Sequence, residues 1–238
     1  MRLEQLFEQL NHFMNGSTIS DHRAVITVLL DILMIFSRND LKSELLKELE
    51  RHSKTLNQIA NSQDVDTNKL DLILDDLNGI SKKLYETNGK IGLKVMESDL
   101  FQSISQRSSI PGGSCSFDLP AFHYWLEQDR ALQQQDLLQW TKPLDNIRSA
   151  INLILGFIRQ SSTPTQELAN AGFYQLALDK SLPFQLLRIG VEPSLLLFAE
   201  ISGGKHRFTI RFMSPSSDGK RPQQISNDIP FSLTRCVF

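Results

Sequence analysis

The spacing of apolar residues changes once along this chain, at Gly172, and that change restricts the folds open to it. Before Gly172 apolar residues recur every three or four positions; after it they alternate. Leu3, Leu6, Phe7, Leu10 and Phe13 lie at helical spacing, and Asn15-Gly16 ends the pattern. Ser20 or Asp21 is placed to cap a second helix, striped by Val25, Val28, Leu29, Ile32, Leu33 and Phe36. Asp40 is the candidate cap of a third, with Leu41, Leu45, Leu49, Leu56 and Ile59 on one side and Glu44, Lys47, Glu50 and Lys54 on the other. The short link at Ser37–Asn39 predicts that these two helices are antiparallel neighbours, with Arg38 in the open at the hairpin tip. A fourth helix starts at Asp66 or Thr67, is weakened at Asn78-Gly79 and ends at Asn88-Gly89; a fifth covers Glu97 to Gln106.

Residues 108–120, SSIPGGSCSFDLP, carry two prolines and paired glycines and are predicted to form an ordered turn or short extended segment. A short helix follows at Ala121–Glu127. A longer one is striped by Leu144, Ile147, Ile151, Ile154, Leu155 and Ile158, and residues 161–165 close the helical part. Beyond Gly172 the candidate strands are Phe173–Leu178, Gln185–Val191, Leu195–Ile201, His206–Met213 and Ile229–Val237. Their turn-length links predict antiparallel pairing between consecutive strands. The expected fold class is α+β: a mostly helical domain over 1–170, irregular near 108–120, then an antiparallel β domain over 171–238.

Charge follows the same division. From Gly172 onward eight Lys and Arg face five Asp and Glu, whereas the remainder carries 17 against 22, so local balances of +3 and −5 make up the net −2. The asymmetry suggests a polar partner for the C-terminal part, but it falls short of a nucleic-acid footprint. No apolar run reaches membrane-spanning length, and Arg2 leads into an amphipathic pattern instead of a signal peptide. Two cysteines, Cys115 and Cys236, offer neither a disulfide framework nor a metal-binding pair, so a reducing, cytoplasmic setting is expected. No histidine makes a metal pair with another, and no cofactor motif is present.

Two stretches invite a functional reading. Cys115 lies beside Gly112-Gly113 with His123 eight residues on, a conceivable nucleophile and base of a thiol-dependent hydrolase; the alternative is a tight turn with a small buried thiol. Trp125, Trp140, Phe122 and Tyr124 fit core packing on amphipathic helices better than base stacking. The second stretch is GKHRFTIRFMS, residues 204–214. With period two, Lys205, Arg207, Thr209, Arg211 and Met213 point one way, and His206, Phe208, Ile210 and Phe212 the other. Cations commonly decorate the solvated face of a strand. Here they repel one another with no acid in the stretch to compensate, and arginine suits bidentate capture of carboxylates.

Residues 106–120, QRSSIPGGSCSFDLP, resemble the central signature of the ZapD family of bacterial cell division proteins, and His123, Trp125 and Leu126 continue it. Residues 43–51, SELLKELER, resemble the family's third helix; 171–175, AGFYQ, and 201–203, ISG, followed by 207–213, RFTIRFM, complete the match in family order. The resemblance implies a cytoplasmic, non-enzymatic homodimer at the midcell division site. Such a protein binds the C-terminal tail of FtsZ, the tubulin-like division GTPase, and bundles its filaments in the Z-ring. It implies neither metal nor cofactor, neither nucleic acid nor membrane insertion. By the same resemblance the basic residues that meet the tail are Arg38, Lys205, Arg207 and Arg211, with Arg107 of the central signature added.

Overall fold

A computed structural model describes residues 1–38, 40–59, 67–87, 89–179, 181–204, 206–216 and 219–237; the side chains of Arg38, Ile59 and Lys69 lie outside that description. The chain forms two compact units, Met1–Ile154 and Leu155–Phe238. The order of elements is α+β, helices first and antiparallel sheets last.

In the first unit, α1 (Arg2–Met14) packs on α2 (Ile19–Arg38), and α3 (Leu41–Ile59) packs on α4 (Thr67–Glu86). Among the described residues α2 also packs on α8 (Arg130–Thr141). The cap of α2 is Thr18 rather than Ser20. Asp21 accepts bonds from the Thr18 amide at 2.9 Å and hydroxyl at 2.7 Å, and its own amide donates back to that hydroxyl at 3.1 Å. These reciprocal bonds hold the Asp21 carboxyl below the ordinary carboxylate range. Asp40 caps α3 as expected, accepting from the Ser43 amide at 3.3 Å. α4 runs through Asn78-Gly79 unbroken.

The expected fifth helix is two short ones, α5 (Leu93–Met96) and α6 (Asp99–Arg107), divided where the Ser98 hydroxyl accepts from the Phe101 amide at 3.4 Å. Then come α7 (Pro120–Leu126), opened by a proline at its first position, and α8, which carries no strong apolar stripe. A buried polar pair anchors α8 instead. Gln133 accepts from His22 Nδ1 on α2 while its amide donates to the carbonyls of Leu126 at 2.9 Å and Gln128 at 2.8 Å. Trp125 and Phe122 are buried in the core, Trp125 donating to Asp136 at 2.9 Å, and the half-buried Trp140 packs 5.3 Å from the Trp125 ring. Tyr124, expected in the core, is instead exposed, because it lies on the solvent side of α7. α9 (Asp145–Gln160) spans the boundary between the units.

The second unit folds into two antiparallel sheets. One has the order β1 (Thr165–Ala169), β7 (Ile229–Val237), β3 (Phe184–Gly190); the other has β2 (Phe173–Ala177), β5 (Arg207–Ser214), β4 (Phe198–Gly203), with the short β6 (Gln223–Gln224) also against β5. Among the described residues consecutive strands pair only at β4–β5 and at β5–β6. β2 pairs with β5, and β3 with β7, so most of the pairing is long-range. Alternation supplies the shared core. Phe208, Ile210 and Phe212 of β5 and Ile229, Phe231 and Leu233 of β7 are buried in one cluster with Ala169, and the Phe212 and Phe231 rings are 5.2 Å apart. The chain changes sheets at Ala171-Gly172, both at positive φ. A Cβ on Gly172 would come within 2.4 Å of the Ile225 carbonyl oxygen, which explains the glycine.

His52 of α3 is fully buried, with Arg51 Nη2 donating to its Nε2 at 3.2 Å. Burial first, and the neighbouring Arg51 second, hold its pKa down to about 4, against the pull of Glu48. The unfolded chain, titrating near 6.5, binds this proton over a pH range where the folded chain does not. Stability of the helical unit is therefore expected to fall between pH 6.5 and pH 4, by about 3 kcal/mol at the end of that window. Urea unfolding followed by helix circular dichroism is expected to show a flatter pH dependence over that window for His52→Gln.

Candidate functional site

The alternation that buries Phe208, Ile210 and Phe212 leaves Arg207 and Arg211 exposed and Thr209 half-exposed on the opposite face of β5. The flanking strands complete that face. In the β2 register Arg211 lies opposite Phe173, Thr209 opposite Gln175 and Arg207 opposite Ala177. In the β4 register Arg211 lies opposite Glu200, Thr209 opposite Ser202, and Met213 opposite Phe198. Tyr174 and Leu176 of β2 and Ala199 of β4 pack into the core, so their neighbours Phe173, Gln175, Phe198 and Glu200 point outward with the arginines.

Among the described residues neither Arg207 nor Arg211 forms an ion pair or a side-chain hydrogen bond. Glu200 is the acid that β5 itself lacks. It sits across from Arg211 without closing a salt bridge, and it reduces the positive field of the face without neutralising it. Lys205 lies outside the described residues, as does the side chain of Arg38, whose backbone ends α2.

Arg107 stands in a different setting. It ends α6, half-exposed, with Nη1 3.8 Å from Asp118 Oδ1. That pair is one of several ties holding residues 108–119 as a string of turns. Arg23 of α2 donates to the Ser114 carbonyl at 3.0 Å while its guanidinium lies 5.2 Å from the centre of the Phe122 ring. The amides of Gly113, Cys115 and Leu119 bond back to Ile110, Gly112 and Cys115. Arg23 carries no motif of its own in the sequence; its spacing on α2 is that of any half-exposed helix cation. The Cys115 thiol is exposed and donates to Asp118 at 3.3 Å, and His123 faces Glu127 at 4.0 Å. No hydrogen bond joins Cys115 to His123 among the described residues, so no nucleophile is paired with its base there.

The family model described as "ZapD: Cell division protein" matches residues 1–211. The chain belongs to the ZapD family of cell division proteins. Cell division protein ZapD of Methylococcus capsulatus is 45% identical over 238 residues, which cover 100% of this chain and 93% of the relative. The corresponding protein of Ralstonia pickettii is 36% identical over 239 residues, covering 100% and 94%. That of Nitrosomonas europaea is 37% identical over 236 residues, covering 99% and 89%. A role in cell division follows from this membership. No helix among the described residues is long and apolar enough to cross a membrane.

The ties around the central ZapD signature have a direct consequence. A Cβ at Gly113 would meet the Arg107 carbonyl oxygen at 2.6 Å, whereas one at Gly79, exposed in the middle of α4, meets nothing within 4 Å. Gly113→Ala is expected to destabilise the helical unit by about 1–3 kcal/mol through overpacking. Gly79→Ala is expected to stabilise it by about 0.5–1 kcal/mol, since alanine loses less backbone freedom in a helix. Thermal denaturation of the two variants side by side checks the pair of opposite signs.

Proposed function

We propose that this ZapD-family chain binds the C-terminal tail of FtsZ and crosslinks FtsZ filaments, stabilising the Z-ring at midcell. The observation that carries this reading is the pair of exposed, unpaired arginines, Arg207 and Arg211, on one face of β5. They present charge to a flexible acidic segment without first having to break internal ion pairs. Arg38, Lys205 and Arg107 are proposed as further contacts, Arg107 with its guanidinium shared with Asp118. The protein acts as a cytoplasmic homodimeric adaptor rather than an enzyme, without metal or cofactor, and with neither nucleic acid nor membrane as its partner.

Exposed charge pairs contribute only about 0.2–1 kcal/mol each, and salt weakens them. A single tail on a single site therefore binds weakly. A two-fold dimer presents two equivalent sites. Along a filament the tails are closely spaced, so the second contact becomes effectively intramolecular and avidity rises by roughly 10²–10⁴-fold. Weak sites repeated in this way give a crosslinker that still releases its filaments.

Arg207→Glu with Arg211→Glu is expected to abolish bundling of FtsZ filaments in low-speed sedimentation while the protein stays folded and dimeric. Bundling at the unsubstituted level by that double variant would remove these two arginines from the function.

A further inference from the structure

The outward face of the β2–β5–β4 sheet is not purely ionic. Phe173 is 37% exposed and Phe198 38% exposed, each in an outer strand of its sheet and each pointing away from the core. Phe173 stands directly across from Arg211, and Phe198 lies one outward row further along, across from Met213. Two large rings on the solvent side of edge strands are the opposite of what protects a sheet from unwanted pairing. Arginine with aromatic neighbours is the composition of residues that dominate binding at partner surfaces.

The spacing states what the partner looks like. Outward rows on β5 are about 7 Å apart, the same repeat as alternate side chains of an extended peptide. A peptide laid along β5 places one side chain over Arg207, the next over Thr209, the next over Arg211 and the next over Met213 and Phe198. Carboxylates four residues apart complement the two arginines. An apolar side chain two residues beyond the second carboxylate lies over Met213 and Phe198, while Phe173 flanks the second carboxylate itself. Glu200, across from Arg211, disfavours a peptide that is acidic at every position and so adds to the selectivity for a mixed one.

We infer that this face captures an extended peptide by apolar as well as ionic contacts, with Phe173 and Phe198 as binding residues beside Arg207 and Arg211. The inference rests on the proposed capture of the FtsZ tail at these arginines and adds how the segment is held. Charge then sets encounter and salt sensitivity, while the two rings set how long the segment stays.

The test is fluorescence anisotropy with a labelled FtsZ C-terminal tail peptide and the full chain, at low and at physiological salt. Phe173→Ser and Phe198→Ser are each expected to weaken binding about tenfold and to leave the salt dependence as in the unsubstituted chain. Arg207→Glu with Arg211→Glu is expected to abolish binding. Unsubstituted affinity in both phenylalanine variants, with binding lost in the arginine variant, overturns the apolar contribution and leaves tail capture standing. Unsubstituted affinity in the arginine variant overturns the tail site itself, and this inference with it. Where the serine variants lose cooperative unfolding, calorimetry of the unsubstituted chain at several temperatures decides. A negative heat-capacity change on binding supports apolar burial, and a change near zero overturns it.

Discussion

Phe208, Ile210 and Phe212 can be buried only if Arg207, Thr209 and Arg211 are not. That exclusion, imposed by the pleat of one strand, organises the whole second unit. The buried side of β5 meets Phe231 and Leu233 of β7, which join the two sheets into one core. A slip of one residue in the β5 register would bring two arginines inside and three large apolar side chains out, so register and arginine exposure are the same constraint. Pairing on both sides of β5 holds it there, against β2 from Phe173 to Ala177 and against β4 from Phe198 to Gly203. The basic face is thus a consequence of the core and does not depend on the flexible ends of long side chains finding partners.

The helical unit is built differently. Its elements are defined by local capping at Thr18–Asp21, Asp40–Ser43 and Ser98–Phe101, and joined by a few specific polar ties in an otherwise apolar interior. His22–Gln133 seats a helix that lacks an apolar stripe, and Arg23 holds the turns of the central signature from a neighbouring helix. The His22–Gln133 tie satisfies groups that would be costly to bury alone. The signature itself is a tightly bonded string of turns whose most exposed apolar residue, Phe117, is 91% accessible.

What the sequence discloses follows the range of each interaction. Helix stripes and strand alternation are local, and they placed most helices of the first unit, the larger strands of the second and the outward arginines of β5. The capping pair at α2 was one residue class away, because serine, threonine and aspartate at neighbouring positions compete for the same role. β1 escaped notice because Thr165, Gln166 and Glu167 show no apolar alternation; only Ala169 reaches the core. α8 escaped because its seat is a buried glutamine. Strand order is long-range: nothing near Phe173 signals that its partner is Arg211, or near Glu200 that it faces the same arginine. The mixed apolar and ionic character of the face becomes visible only once three strands separated in sequence lie side by side.

On the function proposed above, these outward cations capture the FtsZ tail. This is tested most directly by co-sedimentation of the purified chain with FtsZ filaments, carried out in parallel with filaments of FtsZ lacking its C-terminal tail. The chain is expected to pellet with intact filaments and to stay in the supernatant with the tail-less ones. Equal pelleting with both, or with neither, would contradict it.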